Sequence, residues 1–267
     1  MEIIKAAILG IIQGITEWLP ISSTGHLLLA DEIIHLDVSD AFYSVFLVVI
    51  QLGSILAVVI LYFSELWPFV KDREKREKSL SLWLKVIVAS VPAAIFGFLL
   101  DDIIDEKLSS WQVISFALFI YGVLYIILER KVRIKTKIER IEDVKIKDAF
   151  FLGVFQTLAL IPGTSRSGST ILGGIIMGFS RPLAAKFSFF MALPVMAGAS
   201  LLRILKSGFS FSSEEYLILF VGTLVSFLVS LVVIKKLVSF VRSHDFAPFG
   251  LYRIVLSLLV VAYFSIQ

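Results

Sequence analysis

The chain has 267 residues, a net charge of +3, no cysteine, and 58% hydrophobic against 18% charged residues, with a mean hydropathy of +0.92. A soluble domain of this length is about 45–50% apolar, so the composition points to a polytopic membrane protein and argues against a nucleic-acid partner. Without cysteine there is no disulfide framework, no thiolate nucleophile and no cysteine metal site.

Residues 1–5 have no basic leader region and no small-residue cleavage site follows, so the first apolar stretch reads as part of the mature protein. That stretch, 3–30, is interrupted by Pro20 and by Ser22-Ser23-Thr24-Gly25-His26. Residues 42–63, 86–100 and 111–128 follow as membrane spans, the shorter ones extending into their flanks. A charged connector, 129–148, leads to a second interrupted stretch, 149–180, broken by Pro162-Gly163-Thr164-Ser165-Arg166-Ser167-Gly168-Ser169-Thr170. Spans at 186–205, 217–234 and 250–266 complete the chain. Irregular polar backbone at membrane depth survives only when buried in protein or lining a wet cavity. Both interrupted stretches therefore predict re-entrant helix–loop–helix hairpins.

The two stretches also match each other. At an offset of 143 residues, Gly10 pairs with Gly153, Gln13 with Gln156, and Ser22-Ser23-Thr24-Gly25 with Ser165-Arg166-Ser167-Gly168. At an offset of 144, Ser44 and Phe46 pair with Ser188 and Phe190. Each half then holds one hairpin and three spans, and an odd number of spans inverts the second half relative to the first. The predicted fold is an all-α polytopic membrane protein, one domain over 1–267. It has six transmembrane helices plus two re-entrant helix–loop–helix hairpins in an inverted-topology repeat, 1–128 and 149–267, joined by a cytoplasmic connector at 129–148.

Charge supports that layout. The connection 71–85 and the connector are rich in Lys and Arg, including Arg133, whereas 101–106 holds Asp101, Asp102, Asp105 and Glu106. The positive-inside rule puts the two basic segments in the cytoplasm and the acidic one outside. The first hairpin then enters from outside and the second from the cytoplasm, and their loops meet.

Ionisable groups inside a membrane are expensive and mark function; here the hairpins offer Glu17, His26 and Arg166. Around Arg166, Gly163 and Gly168 let backbone approach a ligand closely. Ser165, Ser167, Ser169 and Thr170 supply hydroxyls, and a helix starting near Ser169 adds N-terminal amides. With the planar fork of Arg166 they make a phosphate cradle. The plainer alternative is that the small polar residues only pack or cap helices.

In the first hairpin, Gln13 and Glu17 share a helical face at i, i+4 and could jointly hold Mg²⁺ or Ca²⁺. Ser22, Ser23, Thr24 and Gly25 form a second anion nest, and His26 can serve as nucleophile, base or acid. Against these stand a locking Glu17–Arg166 ion pair and a merely hydrogen-bonded His26. His35 and His244 read as interfacial, Gly10 and Gly14 as a close-packing pair, and Gln51, Gly53 and Ser54 as a weak polar spot in the first full span.

The run Gln13-Gly14-Ile15-Thr16-Glu17-Trp18-Leu19-Pro20-Ile21-Ser22-Ser23-Thr24-Gly25-His26 resembles the first motif of the bacterial undecaprenyl-diphosphate phosphatases, the bacitracin-resistance proteins. Pro162–Thr170 resembles their second. Gln13 stands where many members carry Glu, which makes it a supporting ligand. The resemblance implies hydrolysis of undecaprenyl diphosphate to the monophosphate, recycling the carrier lipid for peptidoglycan and conferring bacitracin resistance. It implies a divalent cation, a polyprenyl diphosphate substrate among membrane lipids, and a bacterial inner-membrane site opening to the outer face. It puts metal or acid–base duty on Glu17, catalysis on Ser23 and His26, and phosphate clamping on Arg166. Three nucleophiles stay open: Ser23 activated by His26, His26 itself, or metal-bound water. A homodimer is compatible with such a bundle. The rival class is a lipid-phosphate flippase or anion transporter, since broken helices in inverted repeats are common there.

Overall fold

The computed structural model describes residues 1–132, 134–207 and 211–266. Arg133 and the side chains of Asp101, Asp102 and Asp105 lie outside the described residues. Among those described there is no strand, only an isolated parallel bridge between Ile138 and Phe179.

In chain order the helices are α1 (Glu2–Thr16), α2 (Ser23–Ile34), α3 (Asp40–Leu61), the single turn α4 (Phe63–Leu66), α5 (Arg73–Lys107), α6 (Trp111–Lys131), α7 (Ile146–Thr157), α8 (Arg166–Ile176), α9 (Arg181–Ser207), α10 (Ser213–Phe240) and α11 (Ala247–Ile266). Their starts follow from capping chemistry. Side-chain oxygens of Ser39, Asp72, Ser110 and Ser212 each accept the backbone N–H three residues on, satisfying a donor that the first turn leaves free.

The helices α3, α5, α6, α9, α10 and α11 are long and apolar enough to cross a membrane, as the sequence predicts. Large apolar side chains such as Phe98, Phe116, Phe220 and Leu258 stand exposed on them, a surface that suits lipid rather than water. The chain is a multi-pass membrane protein. Two boundaries differ from the sequence reading. Residues 101–106 are not a connection: α5 runs on to Lys107, and only 108–110 link it to α6. The second motif's helix starts at Arg166, three residues earlier than expected, because Ser165 takes the capping position.

The core lies around α9, whose Phe187, Phe189 and Phe190 are fully buried; α9 packs against α3, α5 and α8. Each hairpin leans on a helix from the other half of the chain. Helix α1 lies along α10 and α7 along α5, and glycines set the spacing. A methyl added at Gly10 would lie 2.5 Å from the Gly222 carbonyl oxygen, and one at Gly14 2.7 Å from that of Ser226. Gly153 is pressed as tightly on the Ala89 carbonyl. Dry helix association depends on such close backbone approach. Between α3 and α10 a hydroxyl ladder is wholly buried and satisfied: Ser226 donates to the Ile50 carbonyl at 2.8 Å, and Ser54 bonds Ser226 at 2.8 Å and Ser230 at 3.1 Å. The weak polar spot of the first span is thereby divided. Ser54 and Gly53 pack on α10, while Gln51 faces the cavity described next.

Candidate active site

The hairpin loops fold alike because both cap a helix with a strained serine. Ser22 sits at φ +73° and Ser165 at φ +70°, the only non-glycine residues at positive φ among those described. Each side chain accepts the N–H of the glycine three residues on, Gly25 at 3.4 Å and Gly168 at 3.1 Å. Backbone held there costs about 1–3 kcal/mol and persists only where surroundings enforce it. Gly163, at φ +91°, has no such latitude: a methyl on it would meet the Ile114 carbonyl oxygen at 2.5 Å.

The two loops meet at Glu17. Its Oε1 accepts from Arg166 at 3.0 Å, and its Oε2 accepts from Gln13 at 2.9 Å and from Ser23 Oγ at 3.1 Å. Arg166 also donates to the Ser188 carbonyl at 2.7 Å and hydroxyl at 3.2 Å, and its guanidinium lies 5.4 Å from the Trp18 ring centre. Trp18 is itself held edge-on by Phe189 at 5.3 Å. Glu17 and Arg166 are 8% and 11% exposed at the side chain. Removing an ion from water costs several kcal/mol, so such a pair persists only with good geometry and added hydrogen bonds; both conditions are met.

Beside this pair lies a cavity of about 210 Å³. Glu17, Ser23 and Thr24 line it from the first hairpin, and Gly163, Ser165 and Arg166 from the second. Gln51 and Gln156 close its sides. A volume of that order holds several waters at about 30 Å³ each, or one phosphate group with fewer.

Other predicted residues point elsewhere. With α8 starting at Arg166, Ser167, Ser169 and Thr170 fall on its buried side. Ser167 donates to the carbonyls of Glu17 and Leu19 at 3.1 Å, bolting one hairpin to the other. Ser169 and Thr170 donate to the Arg166 carbonyl at 3.3 and 2.8 Å, and Thr170 also bonds Ser188 at 2.7 Å. Nor is His26 brought to Ser23: its Nδ1 lies 2.7 Å from the Ser22 carbonyl oxygen and its Nε2 2.6 Å from the Tyr252 hydroxyl. Gly25 packs below, on Leu118.

Sequence reasoning missed Arg253, which is fully buried on α11. It donates to the Pro20 carbonyl at 3.2 Å and the Gly163 carbonyl at 2.8 Å, clasping both loops, with Tyr121 under its guanidinium at 5.4 Å. A charge inside the span 250–266 was the signal available. Ser188 and Gln156 were visible only through the residue matches between the two halves of the sequence.

Among the described residues no three His, Asp or Glu gather in a way that could hold a metal. Glu17 supplies one carboxylate, and Gln13 Oε1 is buried beside it without a partner. That donor set fits a cation that arrives with phosphate oxygens, as Mg²⁺ does, rather than one caged by protein alone.

The chain matches the family model described as Bacitracin resistance protein BacA over residues 6–259. It is 52% identical to Undecaprenyl-diphosphatase 1 of Clostridioides difficile (strain 630), across 99% of this chain and 97% of that protein. It is 51% identical to an Undecaprenyl-diphosphatase of Enterococcus faecalis (98% and 96% covered) and 47% identical to one of Desulfitobacterium hafniense (99% and 97% covered).

Proposed function

This chain belongs to the bacitracin resistance protein BacA family, and from that premise we propose that it hydrolyses undecaprenyl diphosphate to undecaprenyl phosphate and inorganic phosphate. The reaction returns a carrier lipid to cell-wall synthesis and gives resistance to bacitracin. One observation carries the reading. A single carboxylate, Glu17, binds Ser23 of its own hairpin and Arg166 of the other, 149 residues away, on the wall of one cavity.

The chemistry then divides among the chain's own groups. Arg166 binds the terminal phosphate through its fork, helped by Ser165 and the N-terminal amides of α8. Ser23 Oγ gives its proton to Glu17 and attacks the terminal phosphorus; the bridging P–O bond breaks and undecaprenyl phosphate leaves. Water then hydrolyses the phosphoserine, and Glu17 returns its proton to Ser23 Oγ. His26, one turn beyond Ser23 on the same helix, contacts Ser22 and Tyr252 in the structure and takes up that water's proton once the Tyr252 hydroxyl gives way. A divalent cation, Mg²⁺ or Ca²⁺, held by Glu17 and Gln13 Oε1, would supply charge neutralisation to the diphosphate.

The inverted repeat belongs to this reading. It is supported by Ser22 and Ser165 in matched strained caps, by buried Gln13 and Gln156, and by the reciprocal seating of α1 on α10 and α7 on α5. With the basic connections in the cytoplasm, the first hairpin is re-entrant from outside and the second from inside. The cavity opens to the outer face of the bacterial inner membrane.

Phosphate release from undecaprenyl diphosphate, measured with purified protein in detergent with and without Mg²⁺ or Ca²⁺, tests it. The expected result is cation-dependent release that falls at least about 100-fold in Ser23→Ala, the lower range for loss of a catalytic group. Folded wild-type protein that binds the lipid but releases no phosphate would turn the reading to a lipid carrier.

A further inference from the structure

Helix α11 addresses the hairpins with two consecutive residues. Arg253 clasps the loops, as described; Tyr252 reaches His26. The Tyr252 hydroxyl lies 2.6 Å from His26 Nε2, and the two rings stack at 5.5 Å with 9° between their planes. The other ring nitrogen, Nδ1, is 2.7 Å from the Ser22 carbonyl oxygen. Both nitrogens of the imidazole are therefore engaged.

The chemistry of the partners fixes the proton. A carbonyl oxygen can only accept, so Nδ1 carries the hydrogen. In the neutral ring Nε2 is then the bare nitrogen, and the phenol must donate to it. We propose that Tyr252 is a positioning residue for the reaction: with the Ser22 carbonyl fixing the Nδ1–H tautomer, its hydroxyl covers the basic Nε2 lone pair with an exchangeable donor until a reacting group replaces it. The inference rests on the phosphatase reading, in which His26 moves a proton.

Physical reasons favour this arrangement over a passive contact. The strained Ser22 is what turns its carbonyl toward the ring, so one end of the lock depends on a backbone conformation that persists only where the surroundings enforce it. At the other end, the exposed Tyr252 supplies the donor that pairs the bare nitrogen. A phenol suits that role: it donates well and gives up its place readily, carrying no charge.

Two readouts on Tyr252→Phe, which keeps the ring and removes the hydroxyl, test the proposal. The first is ¹⁵N NMR of protein labelled only at histidine; the chain has 3, and His35→Gln and His244→Gln assign the signals. Wild-type His26 should show one protonated nitrogen, Nδ1, and one bare one, Nε2, that accepts a hydrogen bond, whereas Tyr252→Phe should keep the tautomer and shift the Nε2 signal toward that of a nitrogen with no donor. The second is steady-state phosphate release. Here kcat should fall about tenfold, part of the roughly 10²–10⁴ that a general acid–base group contributes, with KM within about twofold. Tyr252→Leu, lacking the stack as well, should lose more, and a thermal melt confirms that each variant is folded. An unmoved Nε2 signal and an unchanged kcat in Tyr252→Phe would overturn the proposal. The spectra need no substrate, so if wild-type protein releases no phosphate the reaction reading falls while the lock is still judged by its own signal.

Discussion

Glu17 and Arg166 each carry a charge into a region where either alone would be poorly solvated, and each has its partner within 3.0 Å. Removing one partner strands the other, which for a buried pair costs about 3–5 kcal/mol, whereas replacing both with uncharged groups is often neutral. Arg166→Ala should therefore lower the melting temperature and abolish turnover, and Glu17→Gln/Arg166→Met should recover most of the stability with no activity. Melting curves beside phosphate release separate the two effects; a double variant as unstable as the single one would refute the pairing argument. These residues were legible in the sequence because a charge amid apolar residues is conspicuous. Arg253 obeys the same rule and was overlooked, standing alone in its span without a polar neighbourhood to draw attention. The hydroxyls of Ser167, Ser169 and Thr170 were legible as polar but not in direction. With residues 166–168 forming the first turn of α8 and not a loop, successive side chains there are set about 100° apart around the axis.

Glycine against carbonyl is the recurrent contact between helices, and it makes the α1–α10 seam intolerant of side chains. Gly14→Ala would put a methyl 2.7 Å from the Ser226 carbonyl oxygen and 2.8 Å from Val229, and should cost about 1–3 kcal/mol by overpacking. Gly198→Ala, with nothing within 4 Å, should instead be neutral or gain up to about 1 kcal/mol from helix propensity. Thermal unfolding in one detergent compares the two, and equal shifts would show that the seam is looser than described. The spans themselves were readable from hydropathy alone, since lipid demands continuous apolar length. Their ends were not, because α5 carries charged residues through its first turns and on to Lys107, where composition says loop and the backbone remains helical. The Gly10–Gly14 spacing announced a packed face without naming the partner.

Charges at the two ends of the bundle sort by side. Arg181 pairs with Glu129, Lys186 with Glu65, and Lys85 bonds the Ile141 carbonyl, all near the basic connections. Lys5 bonds the His35 carbonyl at the other end. The chain has no native cysteine, so single cysteines report sidedness cleanly. In intact cells an impermeant maleimide should label Ser109→Cys, between α5 and α6, and should leave Glu139→Cys of the connector unlabelled until the membrane is opened. The reverse pattern would invert the topology and carry the cavity to the cytoplasmic face. Which helix seats which hairpin was beyond the sequence, because periodicity identifies a buried face but not what buries it. That seating has a consequence in time. Helix α1 leaves the ribosome well before α10, yet its glycine face fits α10, which begins only at Ser213. At about 5–20 residues per second, the finished first motif waits roughly ten to forty seconds for its seat. A chain cut short before α10 would leave that face bare in the bilayer, a mark by which membrane proteases could tell an incomplete copy from a complete one.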